Sequence, residues 1–234
     1  MAYALVSAGA VSPTLNPSFG AATTAGNLLI AWLFCNSSSA TAPFTILSGA
    51  GWQCPPALQF GTAFVWAGIA YKADCGTGET APQFGPAGVS SAFTKLGEFS
   101  GGSAASPADQ NGNGGSSGGG TQAAACSAPD TQAGDLIIYA AGWNGGTASL
   151  TITPSMADGA GNSITPGADT NSGTGTGVYY SFLWGVAAAA GAGGDTATSV
   201  LSGFENGACG IASFSPAGGG GSSPPVMYSM RRFR

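Results

Sequence analysis

The chain has 234 residues, of which 6% are charged and 41 are glycine, and it contains no histidine. A typical soluble domain carries about 25% charged residues, so Ser, Thr, Asn, Gln, Gly and backbone must cover this surface. Ten acids against five bases give −5. Up to Met230 two lysines face ten acids, −8, while Arg231, Arg232 and Arg234 give the last four residues +3. An acidic body repels phosphate, which argues against nucleic-acid binding.

The N-terminal "MAYALVSAGAVSP" lacks the basic stretch of a secretory signal, so the chain is expected to be made in a cytoplasm without secretion. No apolar run reaches the roughly twenty residues of a membrane-spanning helix, and no membrane insertion is expected. Next comes "TTAGNLLIAWLFCN" at Thr23–Asn36, whose pattern returns as "TQAGDLIIYAAGWN" at Thr131–Asn144, 108 positions on. Other runs read as strands because β-branched and aromatic residues are bounded by turn chemistry: "AFVWAGIAYK", "AFTKLGEF", "SLTIT", "GVYYSFLWGV" and "ACGIASF". Helical periodicity is absent. In "AFVWAGIAY" both alternating sets are apolar, so each face needs a cover, from loops or from a partner.

The repeat continues beyond the quoted segments. Placing Glu79 on Asp195 sets Phe64 on Tyr180 and Trp66 on Phe182, and the halves close at Phe99-Ser100 and Phe214-Ser215. The expected fold is all-β: an antiparallel, jelly-roll-like β-sandwich over residues 1–216, built from pseudo-repeated units at about 21–100 and 129–215. Two independent domains are the alternative. Composition makes 101–120 a Gly-rich flexible connection. Residues 217–234 read as a spacer and a C-terminal docking tail, with Met227, Tyr228, Met230 and Phe233 as apolar anchors among Arg231, Arg232 and Arg234. The competing reading of that tail is a solvated end.

Chemistry is sparse. Without histidine there is no Ser-His-Asp triad, and the acids are isolated, mostly beside glycine in turns. "GNGGSSGGG" lacks the Lys-Ser or Lys-Thr of a phosphate loop. "DGAGN" at Asp158–Asn162 has calcium-type oxygens, yet reads first as a turn. Five cysteines without CxxC spacing point away from zinc and toward buried thiols. If any two pair, Cys126 and Cys209 come first, on strands that would lie side by side. Trp52 and Trp143 sit in Gly-rich loops, where a ring could stack on a sugar; the preferred reading is that each plugs an end of the sandwich. No enzyme activity, cofactor or metal is expected.

The motifs Gly26-Asn27-Leu28-Leu29-Ile30, Gly51-Trp52, Tyr71-Lys72 through Glu79 and Glu98-Phe99-Ser100-Gly101 resemble β-sandwich proteins of tailed-bacteriophage particles. The second copy loses the Tyr-Lys pair at Ala187-Ala188, and Cys75 interrupts the first. The resemblance implies a non-enzymatic virion component, homo-oligomeric, most concretely a capsid decoration protein touching other copies of itself and a capsid or other virion protein. The alternative is a carbohydrate- or host-surface-binding module of a fibre, tail or adhesin, with a host-surface glycan as partner.

Overall fold

The structure, a computed structural model, describes residues 2–37, 43–62, 65–86, 89, 91–102, 107–114, 120–129, 132–145, 150–171, 177–203 and 205–217. Among them there is no α-helix. The first half holds β1 (Ala4–Ala8), β2 (Leu28–Asn36), β3 (Thr45–Ser48), β4 (Gln59–Thr62), β5 (Val65–Lys72), β6 (Gln83–Gly85) and β7 (Ser91–Ser100). The second holds β8 (Ala108–Gly114), β9 (Thr121–Ala125), β10 (Leu136–Asn144), β11 (Ile152–Ala157), β12 (Ser163–Ile164), β13 (Gly167–Asn171), β14 (Val178–Val186), β15 (Thr196–Leu201) and β16 (Asn206–Phe214).

The two strongest apolar runs become the central strands. β2 lies between β5 and β7, and β10 lies between β14 and β16, all antiparallel. One five-stranded sheet runs β1-β7-β2-β5-β4; the other, read from its far edge, runs β8-β16-β10-β14-β13. Strand order therefore matches when β2 is set on β10. Register matches too: Asn36 faces Val65 and Ser91, as Asn144 faces Val178 and Asn206. This pairing corrects the sequence alignment, because Trp66 falls on Tyr179 and not on Phe182. The difference is three residues, and an odd shift turns a side chain to the opposite face of a sheet. Tyr71-Lys72 likewise falls on Trp184-Gly185 instead of Ala187-Ala188. Phe64 lies outside the described residues.

The two five-stranded sheets stack face to face. Leu28, Ile30, Trp32 and Phe34 of β2 point into the shared core, toward Leu136, Ile138 and Ala140 of β10. Rings interlock across it: Phe93 with Tyr180 at 4.7 Å, and Tyr71 with Phe214 and Phe99 with Trp184, both at 5.5 Å. The Trp32 indole donates to the Leu183 carbonyl at 3.1 Å, and Lys95 forms an ion pair with Asp169 across the same seam.

The alternate residues of each strand face outward, and they are buried as well. Leu29, Ala31, Leu33 and Cys35 pack with Phe84 and Leu15 into a cluster on the outer side of the first sheet, beside the β3–β6 pair. Tyr139, Trp143, Tyr179 and Ile211 pack beneath the outer sheet β12-β11-β15-β9. The chain is thus an antiparallel β-sandwich of two five-stranded sheets with a further layer on each outer side, four layers in all. The surplus apolar surface needs no neighbouring subunit: Trp66, Tyr180 and Phe182 are 7%, 9% and 2% exposed within one chain.

The Gly-rich connection is also corrected. Residues Ala108–Gly114 form β8, which pairs with β16. A methyl group at Gly112 or Gly114 would strike the carbonyl of Ala125 or Ala123. Glycine is needed there because β9 crosses in contact with β8, not because the segment must bend.

Candidate functional site

The two outer layers differ at one place. In the second half β9 is zipped to β15 from Thr121–Val200 to Ala125–Thr196. In the first half Pro13–Ser18, a bend at Pro13–Leu15 followed by irregular chain, lies beside β6. There Leu15 and Pro17 are buried while Thr14, Asn16 and Ser18 are exposed, the same alternation as in β9. The Phe84 N–H donates to the Leu15 carbonyl at 3.0 Å. Proline brings no N–H to a ladder, and Pro13 and Pro86 both line an opening beside this bond.

The opening is a groove of about 370 Å³. One wall is Pro13–Asn16; the other is Gln83, Phe84, Pro86 and Leu47. Its floor is Val89, Ser91 and Ala92. Hydroxyl groups brace the first wall: the Thr14 N–H donates to Ser12 Oγ at 3.3 Å and the Asn16 N–H to Thr14 Oγ1 at 3.2 Å. Leu47 is 59% exposed, the most open large apolar side chain among the described residues. Among the described residues none that lines the groove is charged, so it suits an apolar or neutral occupant. Sequence reasoning missed it. The available signal was "PTLNP", two prolines that bring no N–H to a ladder on either side of an apolar residue.

The aromatic residues proposed to stack on a ligand do not line it. Trp52 is 6% exposed and edge-on to Phe84 at 5.8 Å; Trp143 is fully buried beneath the second outer sheet. Neither ring offers a face to solvent, which corrects the ligand-stacking expectation for both. The tail residues Met227, Tyr228, Met230, Arg231, Arg232, Phe233 and Arg234 lie outside the described residues.

The carboxylates serve the fold. Asp158, 2% exposed, accepts N–H groups from Ala160, Asn162, Ala188 and Ala189 at 2.8–3.2 Å and the Asn162 side-chain amide at 3.1 Å. Burial alone would raise its pKa; the bonds from Asn162, Ala189 and Ala160 outweigh this and hold it below the usual range. Glu98 is alike. It is raised by burial but lowered overall by bonds from Asn27, Thr24 and Ser7. Glu79 meets Lys72 at 2.7 Å. In the "DGAGN" turn the Asp158 oxygens accept from these N–H donors, so the carboxylate ties the turn to the loop after β14.

All five cysteines are thiols. Cys126 follows β9 in an outer sheet whereas Cys209 lies in β16 of an inner sheet, so their strands do not pair as anticipated. Burial pushes Cys35, Cys54 and Cys209 up to about 12, and thiolates are the reactive species. The native protein should therefore leave Ellman's reagent uncoloured over minutes at pH 8 and release five equivalents in denaturant. A fast native equivalent would contradict this packing.

No family model matches the chain, and no curated protein or solved structure matches it.

Proposed function

We propose that the chain is a non-enzymatic structural protein of a tailed-bacteriophage particle, in its concrete form a capsid decoration protein that self-associates and docks on the shell. The observation that carries this reading is where the charged side chains are used. Glu98, Asp158, Glu79–Lys72 and Lys95–Asp169 are engaged in loops and seams of the fold itself. What results is a four-layer body with 6% charged residues, suited to a packed surface more than to turnover. The motifs at Gly26–Ile30 and Glu98–Gly101 that resemble phage sandwich proteins point the same way, as does the +3 tail on a −8 body. The particle is then its location, reached from the host cytoplasm.

A second reading, a carbohydrate- or host-surface-binding module of a fibre, is favoured by the uncharged groove with Asn16, Gln83 and Ser91 at its walls and floor. A density map of purified particles separates the two. Decoration predicts this chain at regular, repeated positions on the head, whereas a fibre module predicts it at the tail or at fibre tips. Absence from particles would overturn both.

A further inference from the structure

The groove and the C-terminal tail have complementary chemistry, and chain length bears on whose tail fills which groove. We infer that the groove between Pro13–Asn16 and Gln83–Pro86 receives the C-terminal segment 224–234 of a second copy. This deepens the reading of the chain as a self-associating particle protein, and rests on it.

Three observations support the occupant. The groove lies between the bend at Pro13–Leu15 and β6 at Gln83–Gly85, with exposed Leu47 among its lining, so it offers an apolar slot to the side chains of an entering chain. "PPVMYSMRRFR" begins with two prolines, which hold it extended and lower the ordering cost of binding. Its anchors Val226, Met227, Tyr228 and Met230 fit walls of Pro13, Leu47 and Pro86, while its arginines stay at the rim and face an acidic body. A sugar fits less well, because the one aromatic lining residue, Phe84, is 2% exposed and offers no stacking platform.

Chain length favours a neighbour's tail over the chain's own. The Ala217 N–H is held by the Gly101 carbonyl at 2.6 Å, and Pro216 is bridged to Gly102. Ala92 in the groove floor lies nine positions before Gly101 on or beside β7, about 30 Å along the strand. Val226 is also nine positions beyond Ala217. Fully stretched that segment spans about 30 Å, and as Gly-rich coil about 17 Å. To seat Val226 there it would have to run taut and straight. A neighbour meets no such limit. Each copy then gives a tail at one end and takes one in the groove, a head-to-tail contact that makes rings or open chains.

Two full-length point variants and a tail deletion test this by sedimentation velocity across concentration. Wild type should grow in mass with concentration. Leu47→Glu places a charge in the groove at an exposed position, and deletion of 224–234 removes the donor; each should be monomeric with an unchanged melting temperature. Mixed together, they should form a 1:1 heterodimer and nothing larger, since one retains a tail and the other a groove. Asn16→Trp, which fills the groove from the other wall, should behave as Leu47→Glu does and guards against a folding defect. A wild type that stays monomeric, variants that assemble as wild type does, a mixture that forms no heterodimer, or a monomer whose groove binds a neutral oligosaccharide would each overturn the inference. A chain that is monomeric in solution yet still occupies particles would sink the inference and leave the decoration reading intact; absence from particles would sink that reading instead.

Discussion

Gly142→Ala and Gly210→Ala should each destabilise the protein by about 2–3 kcal/mol, the cost of forcing added volume into a packed core. Both glycines lie on the inner face of the second five-stranded sheet. A methyl group at Gly142 would enter the Phe34 ring, and one at Gly210 would enter the Phe60 ring. Two phenylalanines of the first half thus sit on bare backbone of the second, and that close approach sets the spacing between the inner sheets. In a chain of this size the melting temperature should fall by about 4–12 °C per substitution. Phe34→Leu should recover part of the loss when combined with Gly142→Ala, with a coupling of about 1 kcal/mol between residues in direct contact. Thermal unfolding of the four proteins in that cycle measures this. Additive losses would mean that the ring and the glycine do not meet.

Asp158→Ala should be the most damaging single change at a loop, at about 3–5 kcal/mol, in the range for removing one partner of a buried charged network. It leaves four backbone N–H groups, from Ala160, Asn162, Ala188 and Ala189, without their acceptor. These belong to two separate loops, after β11 and after β14, which the carboxylate ties together. The same network gives an acid limit. The folded pKa values of Asp158 and Glu98 both lie below their ordinary values, so the folded state binds these protons less readily than the unfolded chain. Their stabilisation is full above the unfolded carboxylate range near about 4 and is lost as pH falls through the folded values. Denaturant midpoints should hold steady from pH 7 to about 5 and drop below about 4. Asp158→Asn should start less stable at neutral pH and show a shallower acid decline. An equally steep decline in that variant would assign the acid transition to other groups.

The strands that could be read from the sequence are those whose own residues justify them. β2, β5, β7, β10, β14 and β16 are runs of large apolar and β-branched side chains between turns, and they are the three middle strands of each inner sheet. The repeat of "GNLLIAWLFCN" in "GDLIIYAAGWN" likewise marked the two central strands. What covers each face was not legible. Alternation in "VWAGIAY" says that both faces are apolar, and a neighbouring subunit satisfies that condition as well as the chain's own outer layer does.

The remaining elements draw their structure from contacts distant in sequence. β8, "ADQNGNG", has turn composition, yet it is a strand because β16 supplies its ladder and β9 crosses too close for any side chain at Gly112 or Gly114. Trp143 looks like a loop aromatic beside Asn144-Gly145 and is instead fully buried, because β11 and β15 close an outer sheet over it. The groove depends on contacts no local window contains: the bend at Pro13–Leu15 comes to lie beside Gln83–Pro86. The sequence by itself determined the all-β class, the central strands and the lack of a histidine-based site, since propensity and composition are local. Only the tertiary structure decided the four layers, the thiol state of the cysteines and the groove, because each depends on which distant backbone comes to lie alongside.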